Sequence, residues 1–335
     1  MTRIDRPGPD GHQALAPTSR RHFVAGSAAV GAGIVLASRA GSATAAPAAA
    51  RGDSETLVQQ LYGTLTDRQK MQCCFSFDDP LRQKVDNNWH ITKVRVGQDF
   101  NADQQDLIRQ IFLGLHSEEY ADKVMHQVEH DGGFKNCSIA LFGQPGSGKF
   151  EFVLTGRHVT RRCDGDSVEG AAFGGPIFYG HAARSFNESP LHEDNVYWFQ
   201  AVRANELYQA LDGRQRKMAL LGRSRGEHGT ETVKLKGTDQ GLAGIPVSEL
   251  TEDQRQLARQ VMADLLLPFR EQDRQECIKL LRKQDVDKLH FSFYKDENIG
   301  DDEVWDVWQV EGPTMVWYFR GKPHVHTWVH IRDSA

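Results

Sequence analysis

Met315-Val316-Trp317-Tyr318-Phe319-Arg320-Gly321-Lys322-Pro323-His324-Val325-His326-Thr327-Trp328-Val329-His330-Ile331 decides the fold class of this 335-residue chain. Both arms are rich in β-branched and aromatic residues, a composition that suits a pleated, packed surface, and a Gly-Lys-Pro break separates them. Residues 289–294 and 304–310 share that composition, so the stretch extends into a four-stranded meander. A second pair of strands is expected at 138–142 and 150–158. Each strand region follows helical sequence opened by one device. Thr66, Asn101, Asp212 and Thr251 each stand three positions before a glutamine, as in a capping box, where the first side chain accepts from the third amide and Gln reaches back. Apolar residues then recur at helical spacing, for example Leu107, Ile108, Ile111, Phe112 and Leu115. Helices followed by strands, twice over, predict an α+β fold with antiparallel sheet and two pseudo-repeated halves, at 52–200 and 201–335. The Gly-rich, charged stretch 222–244 reads as a surface excursion.

The amino terminus reads as an address. Ser19-Arg20-Arg21-His22-Phe23-Val24 precedes an apolar run, 23–37, that is shorter than the roughly 20 residues needed to span a bilayer. Arg20, Arg21 and Phe23 form a twin-arginine export signal, and Ala43-Thr44-Ala45 offers a signal-peptidase site. Residues 1–45 are thus expected to be removed and 46–335 to act in the periplasm, with the twin-arginine translocase as a transient partner and no stable membrane anchor. Net charge is −5 with both signs interspersed, which argues against a nucleic-acid partner. Five cysteines permit a disulfide without building a disulfide framework.

Three motifs carry chemistry. Gly143-Gln144-Pro145-Gly146-Ser147-Gly148-Lys149 fits a phosphate loop as far as the lysine, but Phe150 stands where Ser or Thr would hold magnesium, and strand-like sequence follows where a helix is needed. It reads as a hairpin turn, and no nucleotide cofactor is expected. His126-Gln127-Val128-Glu129-His130 would place two imidazoles on one helix face beside a carboxylate, as in some zinc proteases. It reads as a solvated helix end instead, because charged imidazoles suit exposed carbonyls there.

The third motif is the terminal strand. Alternation puts His324, His326, Trp328 and His330 on one face and Val325, Thr327, Val329 and Ile331 on the other. His158, in the related phrase Gly156-Arg157-His158, is the natural third ligand to His324 and His326 for a transition metal: copper, iron or zinc. His330 is a weaker candidate, two residues further along the strand. Glu151 and Asp306 lie in neighbouring strands and could orient the imidazoles.

Residues 77–82 (Phe-Asp-Asp-Pro-Leu-Arg), Glu129, Leu141-Phe142-Gly143-Gln144-Pro145, Gly156-Arg157-His158, Gly174-Gly175-Pro176-Ile177-Phe178-Tyr179-Gly180 and His324-Val325-His326-Thr327 together resemble the exported bacterial family catalogued as domain of unknown function 3500. The resemblance implies export and a shared organisation and supplies no catalytic residues. Arg157 departs from the family pattern, in which a second His is usual. Two readings of function follow. One is a periplasmic metalloprotein with a three-His site acting on a small substrate. The other is a non-enzymatic exported module that binds a small molecule or a partner, with Trp305, Trp308, Trp317 and Trp328 as an aromatic platform.

Overall fold

The computed structural model describes residues 53–181, 192, 195–296 and 304–335. The twin-arginine stretch lies outside them. No helix of the described residues is long and apolar enough to cross a membrane.

The described chain runs α1 (Ser54–Thr64), α2 (Asp67–Cys73), β1 (Cys74–Phe75), α3 (Val96–Asp99), α4 (Ala102–Gly114), α5 (Glu118–His130), β2 (Ser138–Gly143), β3 (Phe150–Gly156), β4 (Val159–Cys163), β5 (Ile177–His181), α6 (Phe199–Ala210), α7 (Gly213–Ala219), β6 (Leu220–Leu221), β7 (Ile245–Pro246), α8 (Glu252–Leu265), α9 (Glu271–Lys283), β8 (His290–Tyr294), β9 (Val307–Gly312), β10 (Met315–Arg320) and β11 (Val325–Ile331). All four expected capping boxes form, at Thr66, Asn101, Asp212 and Thr251. Each glutamine also does more than cap. Gln69 donates to Gln104 (2.9 Å), and Gln104 donates in turn to the Thr64 carbonyl (2.9 Å). Gln215 and Gln254 repeat this at 2.8 Å, with Gln254 donating to the Ala210 carbonyl at 2.9 Å. These buried amides join the helix starts in pairs, satisfying polar groups that would otherwise destabilise the interior.

The fold is α+β. One sheet runs in the order β1-β2-β3-β4-β5-β11-β10-β9-β8-β6, with β7 beside β8. The order reads alike from both ends. The outermost pairs, β1 with β2 and β6 with β8, are parallel, and the pairs between are antiparallel, with β5 and β11 meeting at the centre. A second central contact is reciprocal as well: the Ser117 N–H donates to the Pro268 carbonyl (3.0 Å), and the Arg270 N–H donates to the Leu115 carbonyl (3.3 Å).

Helices cover one face of the sheet, where Leu154, Phe291, Trp317, Val325 and Val329 join Ile108, Phe112, Val261 and Leu265 in the main core. The opposite face is covered by loops and short 3₁₀ turns. There Val85 and Val233 pack on Phe178, Tyr318 and Trp328, and Ile91 packs on Ala140 and Phe142. The 222–244 stretch therefore differs from the expected surface excursion, since its Val233 side chain is buried against the sheet. Trp308, Trp317 and Trp328 are fully buried, so they build core and not an exposed aromatic platform.

Candidate metal centre

Strand register explains how residues so distant in sequence meet. The Arg157-His158 pair turns the β3–β4 hairpin, whose flanking residues Gly156 and Val159 are paired. His158 adopts φ +53°, a left-handed conformation that histidine tolerates better than most residues. The sequence had placed His158 at the end of a strand, but β3 stops at Gly156. The His158 carbonyl accepts from Gly180 N–H at 3.1 Å, and Gly180 is paired with His326. The three residues thus lie side by side across the sheet centre with a glycine between the two histidines. A Cβ at Gly180 would stand 1.9 Å from the Val325 carbonyl oxygen, so only glycine allows this close approach of β5 to β11. His324 stands one residue before β11.

His324 Nε2 lies 3.1 Å from His158 Nε2 and 2.9 Å from His326 Nε2. Three potential ligand atoms, one from each histidine, lie within 4.8 Å of one another, and among the described residues this is the one such group of three. Nitrogens that share a tetrahedral ion at roughly 2.0–2.1 Å sit about 3.3 Å apart, so little movement would bring these three onto one centre. His158 and His326 are buried, and His324 is half-buried.

Two carboxylates hold the rings from behind. His158 Nδ1 is hydrogen-bonded to Asp131 Oδ2, and His326 Nδ1 meets both oxygens of Glu227 at 3.0 and 2.9 Å. Ionised carboxylates only accept hydrogen bonds, so each Nδ1 carries the proton and each Nε2 presents a lone pair to the cluster. His324 Nε2 can offer a hydrogen to one of these lone pairs and not to both. A cation at the centre satisfies all three. This carboxylate–imidazole arrangement is the one that orients metal-bound histidines and raises their basicity.

The carboxylates are themselves anchored. Arg157 Nε lies 3.3 Å from Asp131 Oδ1. Arg157 thus reinforces the group behind His158. Glu227 accepts from the Trp328 indole N–H at 2.7 Å and lies 3.3 Å from Arg320 Nε. Burial pushes the Glu227 carboxyl up, but its contacts with His326, Arg320 and Trp328 outweigh that and leave it below its ordinary value. Burial first, then the neighbouring imidazoles, hold His324 at about 3, and burial holds His326 at about 4 against the pull of Glu227. Both rings are neutral near pH 7, the form that binds metal.

Neither Asp131 nor Glu227 was singled out from the sequence. Asp131 caps the end of α5 and Glu227 lies in the 222–244 stretch, places with no periodic pattern to mark them. Of the two carboxylates expected to orient the imidazoles, Glu151 does not: it is buried between Arg162 (2.6 Å) and Arg82 (2.9 Å). Asp306 immediately precedes β9, and its carbonyl accepts from Gly321 N–H at 2.8 Å. Burial lowers His330 to about 4, and its Nδ1 lies 3.1 Å from the Val233 carbonyl oxygen, so it is engaged away from the trio.

His126 and His130 occupy the last turns of α5 with ring centroids 6.2 Å apart. Glu129 accepts from Phe134 N–H at 3.2 Å, as a helix-end carboxylate. Residues 143–149 turn the β2–β3 hairpin, in which Gln144 N–H donates to the Lys149 carbonyl at 3.0 Å. No helix follows to present its amino end to a phosphate.

An α+β domain with three imidazoles converging beside two anchored carboxylates is the class that fold and site define. The chain belongs to the family described as protein of unknown function (DUF3500), which matches residues 49–334. No curated protein and no solved structure matches the chain.

Proposed function

We propose that His158, His324 and His326 hold one transition-metal ion with a coordination position left open, and that the protein works as an exported, periplasmic metalloprotein on a small substrate. The observation that carries this reading is the pair of Nδ1–carboxylate links, which aim the lone pairs of His158 and His326 at His324. Three protein ligands with one open position are the pattern of catalytic zinc, whereas structural zinc sites are closed by four. The absence of cysteine from the trio favours zinc, copper or iron over thiolate chemistry. A bound ion would supply Lewis acidity at the open position. The protein's own part is to keep His324 and His326 neutral and all three rings fixed.

Elemental analysis of protein exported and purified without an affinity tag tests this directly. Stoichiometric zinc, copper or iron is expected, lost in His158→Ala and in His324→Ala and kept in His126→Ala. Loss in His126→Ala alone would move the site to α5 and sink the proposal. The export part rests on Arg20 and Arg21. Replacing both with Lys should leave precursor in the cytoplasm, and normal periplasmic accumulation of that variant would refute it.

A further inference from the structure

The mirrored order of elements lets one half serve as a reference for the other. Counting from the capping glutamines Gln104 and Gln254, Ile108 corresponds to Ala258 and Phe112 to Met262. The short 3₁₀ turns before β2 and β8 open with Phe134 and Val286 respectively. In the first half Ile108, Phe112 and Phe134 are all buried, and the two phenyl rings pack with centroids 5.6 Å apart. In the second half each is replaced by a smaller or more flexible side chain. The space is not reclaimed: a groove of about 550 Å³ opens between α8 and α9, floored by Leu289 and Phe291, with Val286 left 46% exposed at its edge.

The rim changes in parallel. Counting along the two 13-residue helices, Ala121 of α5 corresponds to Arg274 of α9 and Glu129 to Arg282, while Gln105 of α4 corresponds to Arg255 of α8. Arg259 lies on the same rim. Arg255, Arg259 and Arg274 each have an acidic neighbour, respectively Asp287, Glu252 and Glu271. Arg282 has no ion pair among the described residues, and the buried Arg274 Nε has no hydrogen-bond partner there. An apolar trough with surplus guanidinium at its lip suits one kind of small molecule. Cavities of this size enclose ligands of a few hundred daltons, and guanidinium forks match carboxylate and phosphate oxygens.

We propose that the α8–α9 groove is a binding site for a single-chain anionic amphiphile, with the chain over Phe291, Leu289 and Met262 and the headgroup at Arg274 and Arg282. The site is separate from the three imidazoles and stands whether or not they hold metal.

Isothermal titration calorimetry of the full exported chain with dodecanoate and with dodecyl phosphate tests it, with dodecylammonium and dodecanol as controls. Saturable 1:1 binding of at least one anion is expected, at least tenfold tighter than either control. Val286→Phe, which restores the plug seen in the first half, should weaken that binding at least tenfold while leaving Tm unchanged or raised. Arg274→Ala combined with Arg282→Ala should weaken it by a similar factor. Binding of neither anion, equal binding of the controls, or binding untouched in both variants would overturn the proposal. So would a dimer in sedimentation that Val286→Phe dissociates, since that would assign the groove to a second copy of the chain.

Discussion

His326 Nδ1 lies 2.9 Å from Glu227 Oε2, joining a central strand to a coil segment 99 positions away in sequence. The same carboxylate takes the Trp328 indole hydrogen, so one side chain fixes both the ring that faces the cluster and the strand that bears it.

Glu227→Gln should therefore act on metal affinity more than on fold. The amide oxygen can still accept from Nδ1–H, but the charge that raises imidazole basicity is gone. Loss of such a partner typically lowers metal affinity by roughly 10–100-fold. Competition with a chelator of known affinity measures this, and Asp131→Asn should behave alike. Unchanged affinity in both variants would show that the carboxylates do not tune the site.

A pH effect on stability is expected from a different region. Burial raises Asp164 and Asp273 to about 6 and Glu276 to about 7. Glu276 feels the charge of both Asp164 and Asp273, and Asp166 acts on all three, while Arg270 lies beside Asp273 and is shared with Glu55. For a carboxyl whose folded value lies above its unfolded value, the native state binds more protons between the two. Stability then falls as pH rises through that window, here from about 3.8 for the aspartates and 4.5 for Glu276 up to about 7. Glu276→Gln should flatten this part of the profile. Allowing for solvent screening at a partly exposed group, it should stabilise the protein by roughly 1–2 kcal/mol at pH 7.5. Denaturant titrations at pH 5 and 7.5 compare the two proteins. An equal or steeper fall in the variant would contradict the assignment.

Lys149 tests the phosphate-loop resemblance. It stands at the end of a hairpin turn with its ammonium 5.9 Å from the centre of the Phe77 ring. Lys149→Ala should change stability by less than about 0.5 kcal/mol. Saturable binding of magnesium-ATP to the parent protein, lost in this variant, would restore the nucleotide reading.

How much of this was legible in the sequence follows from the range of the forces involved. Capping boxes are local, so Thr66, Asn101, Asp212 and Thr251 announced their helices within four residues. Strand alternation is local too, and it set Val325, Val329 and Ile331 towards the core. The trio itself was legible because His324 and His326 are close in sequence and the Gly156-Arg157-His158 phrase pointed to a partner. Yet that phrase lies in the β3–β4 turn whereas its counterpart joins β10 to β11, so the likeness does not reflect equivalent places in the two halves. Asp131, Glu227 and the spacer Gly180 were not legible as parts of the site, because their roles depend on which strands become neighbours. The covered second face was hidden for the same reason. Alternation shows that His326 and Trp328 point away from the aliphatic face but not what lies over them.

The paired glutamines turn a local helix signal into a tertiary link. Gln254 returns to its own cap, donates to Gln215 at 2.8 Å and donates to the Ala210 carbonyl at 2.9 Å, while remaining 7% exposed. Gln254→Leu matches it roughly in volume but removes the reciprocal cap, takes from Gln215 its link to Gln254 while leaving its bond to the Glu249 carbonyl, and strips the Ala210 carbonyl of its side-chain donor in the interior. Loss of a cap costs about 1 kcal/mol and each buried polar group left without a partner about 1–3 kcal/mol. A loss of roughly 3 kcal/mol is therefore expected from denaturant unfolding, and Gln104→Leu should lose a similar amount through Gln69 and the Thr64 carbonyl. Thr251→Ala is the contrasting case. It removes a cap oxygen near the surface and leaves both interior bonds of Gln254 in place, so it should cost only about 1 kcal/mol. If Thr251→Ala proved as damaging as Gln254→Leu, the capping boxes would be acting as local helix starts alone, and the buried amide links between helices would contribute nothing measurable.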